Sequence, residues 1–176
     1  MIFAIDPGNE YSAFVLLNDD LSVCDKGKVT NDELLDTINR IFYMNVDNSK
    51  LISNVEHVAI EMVASYGMAV GKSIFDTCVW IGRFYQVIYE QSNIKPTFIY
   101  RKDEKMCLCG SMKAKDANIR QALIDRFAQH DLKNGKGTKK NPDWFYGFKA
   151  DIWAAYAVAV TYHDKFIDKN NMRLFL

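Results

Sequence analysis

No apolar run in the sequence approaches the ~18 residues that would argue for a membrane-spanning helix. A CxxC pair is also missing. Cys24, Cys78, Cys107 and Cys109 stand without a Cys/His quartet, which excludes a tetrahedral zinc site by spacing and favours free thiols in a reducing compartment. There is no excess of either charge: 22 Lys and Arg balance 22 Asp and Glu, so attraction to nucleic acid or to a membrane surface must come from a local patch. Only three prolines, nine glycines and four cysteines occur among 176 residues, against a collagen-like or disulfide-built chain. With 49% hydrophobic and 25% charged residues, disorder is excluded and one domain over residues 1–176 is expected. No charged-then-apolar leader precedes the first apolar run, so a cytoplasmic location is expected.

The pattern that is present alternates strand and helix. The run Met1-Ile2-Phe3-Ala4-Ile5-Asp6 stops at Pro7-Gly8, as a buried strand ending in a turn does. Residues 12–17 and 21–29 flank Asn18-Asp19-Asp20, which predicts an antiparallel meander of three strands. A helix is predicted over residues 31–44, a strand over 57–61, a long helix over 67–91 and a strand over 97–100. Further helices are predicted over 115–129 and 150–168, and no internal repeat is present. The sum is an α/β fold with a mixed five-stranded sheet, three antiparallel N-terminal strands then parallel ones, flanked by helices. That element order resembles the ribonuclease H-like one.

Asp6 and Glu61 each end an apolar strand, and Asp151 stands in the first turn of the last helix. An acid at such a position is often a solvated turn residue. Three of them converging at one sheet edge would repel and raise each other's pKa unless a metal neutralised them, and hard oxygen donors select Mg2+ or Mn2+. Paired divalent ions clamp the attacking and leaving oxygens of a phosphodiester, so phosphodiester hydrolysis is the chemistry implied.

These residues carry a resemblance. Ile5-Asp6-Pro7-Gly8, Ala59-Ile60-Glu61 and Ala157-Val158-Ala159-Val160-Thr161, in that order, make the chain similar to RuvC-type Holliday-junction resolvases of the ribonuclease H-like nucleases, phage-borne members in particular. The likeness extends over nearly the whole chain. It implies a homodimer that cuts Holliday junctions or other branched DNA with Mg2+, for which Mn2+ substitutes, and has no membrane partner. Asp6, Glu61 and Asp151 are then the metal ligands, and Lys105 and Lys115 fall near basic residues beside the scissile phosphate. Tyr66 falls near an aromatic that stacks on an unpaired base.

The pattern departs at Ala154, three residues after Asp151, where the family places a second helix acid. Several readings remain open there: three acids with water, recruitment of Asp116 or Asp143, a weakly held second metal, a substitution introduced at 154, or junction binding without cleavage. A ribonuclease H-like nuclease with another nucleic-acid substrate is a further alternative.

Cations cluster in two places. Arg101, Lys102, Lys105, Lys113, Lys115 and Arg120 are interleaved with acids and read equally well as a solvated face or as phosphate contacts. Residues 133–142 hold Lys133, Lys136, Lys139 and Lys140 with two glycines and no apolar side chain, which predicts a mobile basic loop that contacts the DNA backbone. Trp144-Phe145-Tyr146 follows and is expected chiefly to anchor that loop to the core. His57, His130 and His163 lack metal-ligand spacing, and Cys107-Leu108-Cys109 reads as an extended segment with no assigned function.

Overall fold

The computed structural model describes residues 1–43, 55–65, 67 and 69–168. Its strands are β1 (Ile2–Asp6), β2 (Tyr11–Leu17), β3 (Val23–Thr30), β4 (His57–Met62) and β5 (Thr97–Tyr100). Its helices are α1 (Asn31–Tyr43), α2 (Lys72–Ser92), α3 (Arg101–Cys109), α4 (Asp116–Phe127) and α5 (Ile152–Phe166). The strands form one mixed sheet in the order β3-β2-β1-β4-β5, antiparallel through β3, β2 and β1 and parallel through β1, β4 and β5.

Side-chain alternation along the strands divides the core into two layers. Phe3, Ile5, Phe14, Val58 and Ile60 point to the face covered by α1 and α2. Ile2, Ala4, Ala13 and Ala59 point to the other face, where they meet α5 and its own Ala155, Ala157 and Ala159. Alanine on both surfaces brings the helix backbone close to the sheet, and α3 and α4 pack beside it. Among the described residues no helix is long and apolar enough to cross a membrane.

The boundaries depart from expectation where backbone hydrogen bonding decides them. The long helix starts at Lys72 instead of residue 67, because Gly71 caps it in an extended conformation. The third strand begins at Val23, after a turn in which Leu21 has φ 67° and Asp20 accepts from the Ser22 N–H at 2.9 Å. The polar stretch after β5 is helical: Asp103 accepts the Tyr100 N–H at 3.0 Å at its start, and Gly110, at φ 63°, ends it. Cys107 and Cys109 therefore sit on a helix and not on one side of an extended segment.

Candidate metal centre and nucleic-acid surface

The register between β1 and β4 pairs Ile5 with Ile60, so the next residues, Asp6 and Glu61, lie side by side at the C-terminal end of two parallel strands. Alternation puts Asp6 on the face of Ile2 and Ala4, and Glu61 on the face of Ala59, which is the face of α5. The turn beyond Asp6 is tightly held. A Cβ on Gly8 would come within 2.3 Å of the Tyr11 carbonyl oxygen. The Gly8 N–H donates to Ser12 Oγ at 3.1 Å, and Asn31 Nδ2 donates to the Gly8 carbonyl at 2.9 Å.

Asp6 and Glu61 share a side-chain hydrogen bond. Burial, with repulsion from Glu61, Asp151 and Glu104 added, holds the Asp6 carboxyl far above the ordinary aspartate range. Burial raises Glu61 as well, against the pull of the Asp6 hydrogen bond and the Arg101 charge. Asp151 caps α5 after Ala150, whose φ is 39°. Its carboxylate is half exposed and lies 2.6 Å from Lys28 Nζ on β3.

Two further residues enter this cluster from α3, and the sequence did not mark the more buried of them. Glu104 is 0% exposed; Arg101 binds its Oε2 and reaches Asp116 with the other guanidinium nitrogen. Glu104 Oε1 is buried with no hydrogen-bond partner among the described residues. Flanked by Lys102, Asp103 and Lys105, Glu104 reads as one more solvated charge. The available signal is helical spacing, since Arg101, Glu104 and Leu108 fall on one face, and Leu108 packs on the core.

The donors are all carboxylates, hard oxygen ligands in surplus over the cations that meet them, and burial raises the proton affinities of Asp6, Glu61 and Glu104, as expected of acids without a neutralising charge. This suits a divalent ion such as Mg2+ or Mn2+. Among the described residues no three His, Cys, Asp or Glu side chains are gathered as a metal would hold them; Asp151 is turned to Lys28, and Glu104 and Asp116 to Arg101.

Of the acids considered as replacements at position 154, Asp116 stands at this centre through Arg101. Asp143 is otherwise occupied. Its buried carboxylate accepts the N–H groups of Gln129, His130, Asp131 and Trp144 at 2.6–2.9 Å.

Asp131 likewise accepts from the N–H groups of Asn134, Lys136 and Gly137 at 3.0–3.2 Å. The basic segment, expected to be mobile with no core to join, is thus framed by two aspartates. At Gly137, with φ 64°, a Cβ would come within 2.3 Å of the Asn141 oxygen. Phe145 is fully buried, Trp144 stacks on Phe127 at 5.3 Å and Tyr146 is exposed, so the aromatic triplet is chiefly an anchor.

Lys133, Lys139 and Lys140 are exposed and Lys136 is partly so. Lys133 lines a groove of about 670 Å3 together with Asp116, Arg120 and Trp153. Asp116, Arg120 and Trp153 also line a smaller cavity of about 110 Å3 that includes Arg101, Asp151 and Ala154. The groove bordered by Lys133 therefore adjoins the cavity bordered by Asp151, with Arg120, common to both, lying over the Trp153 ring at 4.6 Å. Lys113 and Lys115 are exposed before and at the start of α4, and Lys105 is half-buried on α3. Tyr66 lies outside the described residues.

The sheet order and the helix placement define an α/β fold of the RuvC, ribonuclease H-like kind. Solved structures share it. The RuvC of T. thermophilus in complex with a Holliday junction substrate superposes with a TM-score of 0.62 at 14% identity, covering 98% of this chain and 95% of that one. A second Thermus thermophilus RuvC structure gives 0.57 at 17% identity, covering 92% of each chain. No protein-family model and no curated protein matches the sequence.

Proposed function

We propose that the protein is a metal-dependent, structure-selective DNA endonuclease that hydrolyses phosphodiesters at Holliday junctions or other branched DNA. The observation that carries this reading is the meeting of Asp6 and Glu61 on adjacent parallel strand ends, on the α5 face, with Asp151 near enough to repel Asp6. The RuvC-like fold and the groove that carries Lys133 and Arg120 up to the cavity of Asp151 support it.

Asp6, Glu61 and Asp151 would hold Mg2+, with Mn2+ as a substitute. When bound, such ions lower the pKa of water and neutralise charge developing on the phosphate. Lys105 or Lys115 would steady the scissile phosphate from the α3 and α4 side. Lys113, Lys133, Lys136, Lys139 and Lys140 would follow the DNA backbone, gaining affinity by counterion release. Tyr66 would stack on a base at the crossover. A two-fold dimer would present two such centres to the two-fold junction, and α2 offers a surface for it: Phe75 and Val79 are 60% and 62% exposed.

One observation favours a second reading. Ala154 lines the cavity beside Asp151 and brings no oxygen to it, which is compatible with a junction-binding protein that does not cut. Labelled four-way junction, linear duplex and RNA–DNA hybrid incubated with Mg2+, Mn2+ or EDTA, scored for cleavage and gel shift, separate the possibilities. Paired nicks confined to the junction and lost with EDTA are expected. Binding without cleavage in any metal establishes the second reading, and cutting of hybrid or linear duplex assigns another substrate.

A further inference from the structure

We infer that Glu104 of α3 supplies a carboxylate oxygen to the divalent metal at this centre, making a fourth acid that comes from outside the strand ends and from outside α5. The inference rests on the metal-centre reading above and concerns how that centre is completed.

A carboxylate is buried completely only when its oxygens are matched, because losing water costs several kcal/mol per ion. Glu104 meets half of this requirement. Arg101 binds Oε2, while Oε1 is enclosed with no donor to accept from among the described residues. Arg101 is itself shared with Asp116, so its charge is divided between two carboxylates. A residue buried merely to pair with Arg101 could present both oxygens to the guanidinium, the usual fork arrangement.

The place of Glu104 matters as well. Glu104 lies close enough to Glu61 and Asp6 to repel both, which places it among the acids that end β1 and β4. The cavity that Arg101 lines is also lined by Asp151, the cap of α5, and by Ala154 within that helix. A carboxylate oriented by an arginine through one oxygen and ligating a hard cation through the other is an ordinary division of work between inner and outer shells of a metal site. Glu104 has the first half of that arrangement in place.

The test is Mn2+ binding by the full chain without DNA, followed by electron paramagnetic resonance and calorimetry, for the unaltered protein, Glu104→Gln, Glu104→Asp and Glu61→Gln. Glu104→Gln preserves volume and should weaken Mn2+ binding by about tenfold or more, with Glu104→Asp in between. Unaltered Mn2+ affinity in a folded Glu104→Gln protein, alongside weakened binding in Glu61→Gln, overturns the inference and leaves the metal centre standing. If the glutamine variant does not fold, Glu104→Asp decides, since retracting the carboxylate by one methylene must weaken a direct ligand and an unchanged affinity overturns its role. Absence of Mn2+ binding by the unaltered protein overturns the metal centre and Glu104's place in it together.

Discussion

Lys28 Nζ lies 2.6 Å from Asp151 Oδ2, so a cation from the outermost strand of the sheet occupies the acid that opens the last helix. The pair raises the proton affinity of the lysine, chiefly through their hydrogen bond. Any metal that uses Asp151 has to displace this ammonium. Lys28→Met should therefore tighten Mn2+ binding severalfold, measured by titration at fixed ionic strength. Equal affinities would mean that Asp151 is not a ligand.

Asp6→Asn and Glu61→Gln should each abolish Mg2+-dependent cleavage and leave junction binding largely intact, as read by nicking and gel-shift assays on the same samples. The metal-free proteins should also become more stable at neutral pH. Because burial, with repulsion from neighbouring acids, raises the Asp6 pKa in the folded protein, folding must keep that carboxyl protonated once the pH exceeds the ordinary aspartate value, and this penalty grows until the raised value is reached. The melting temperature of Asp6→Asn should accordingly exceed that of the parent by about 2–4 °C per kcal/mol of this penalty removed. The difference should vanish below about pH 4.

Replacing Lys133, Lys136, Lys139 and Lys140 by serine should weaken junction binding and flatten its dependence on salt, by up to about 0.9 in logarithmic slope for each phosphate that is no longer neutralised. Fluorescence anisotropy across a salt series measures both. An unchanged slope would remove this segment from the interface.

Asp143 should make the same segment sensitive to acid. Burial alone would raise its pKa, yet four backbone N–H donors hold it well below the usual carboxylate range. Its contribution is thus complete above the unfolded aspartate pKa and is lost as the pH falls towards the depressed folded value. Asp143→Asn should lower the melting temperature at pH 7 by about 5 °C, the scale of one or two charge-assisted hydrogen bonds. The deficit should shrink on acidification, as followed by circular dichroism.

Phe75→Asp should convert a dimer to a monomer without lowering the melting temperature of the monomer, because Phe75 is 60% exposed in the single chain. Sedimentation velocity distinguishes the states. An unchanged sedimentation coefficient for the variant would place any self-association elsewhere.

The sheet and two of its acids were legible because they rest on local pattern. An apolar run ending in Asp-Pro-Gly and another ending in Glu declare both the strands and the residues at their ends. Parallel pairing of β1 with β4, which joins Asp6 to Glu61, follows from the element order. Helix α3 was hidden because most of its residues present little apolar surface to the core, and its start is fixed by a single bond from Tyr100 to Asp103. Glu104 was hidden with it. Charge among charges predicts solvent, and only the packing of α3 on α4 and α5 takes this one out of water. The aspartates that frame the basic segment left no pattern either, since their partners are backbone N–H groups that every residue type but proline carries.

Tyr156, inside α5, accepts the Trp144 indole N–H at 2.9 Å and donates to the Leu21 carbonyl at 3.0 Å, while its ring meets Phe127, Phe145 and Phe148 edge-on. The segment bearing the lysines and the helix whose first turn bears Asp151 are thereby bolted to one hub. A displacement of Trp144 is therefore passed through Tyr156 to the helix that Asp151 opens.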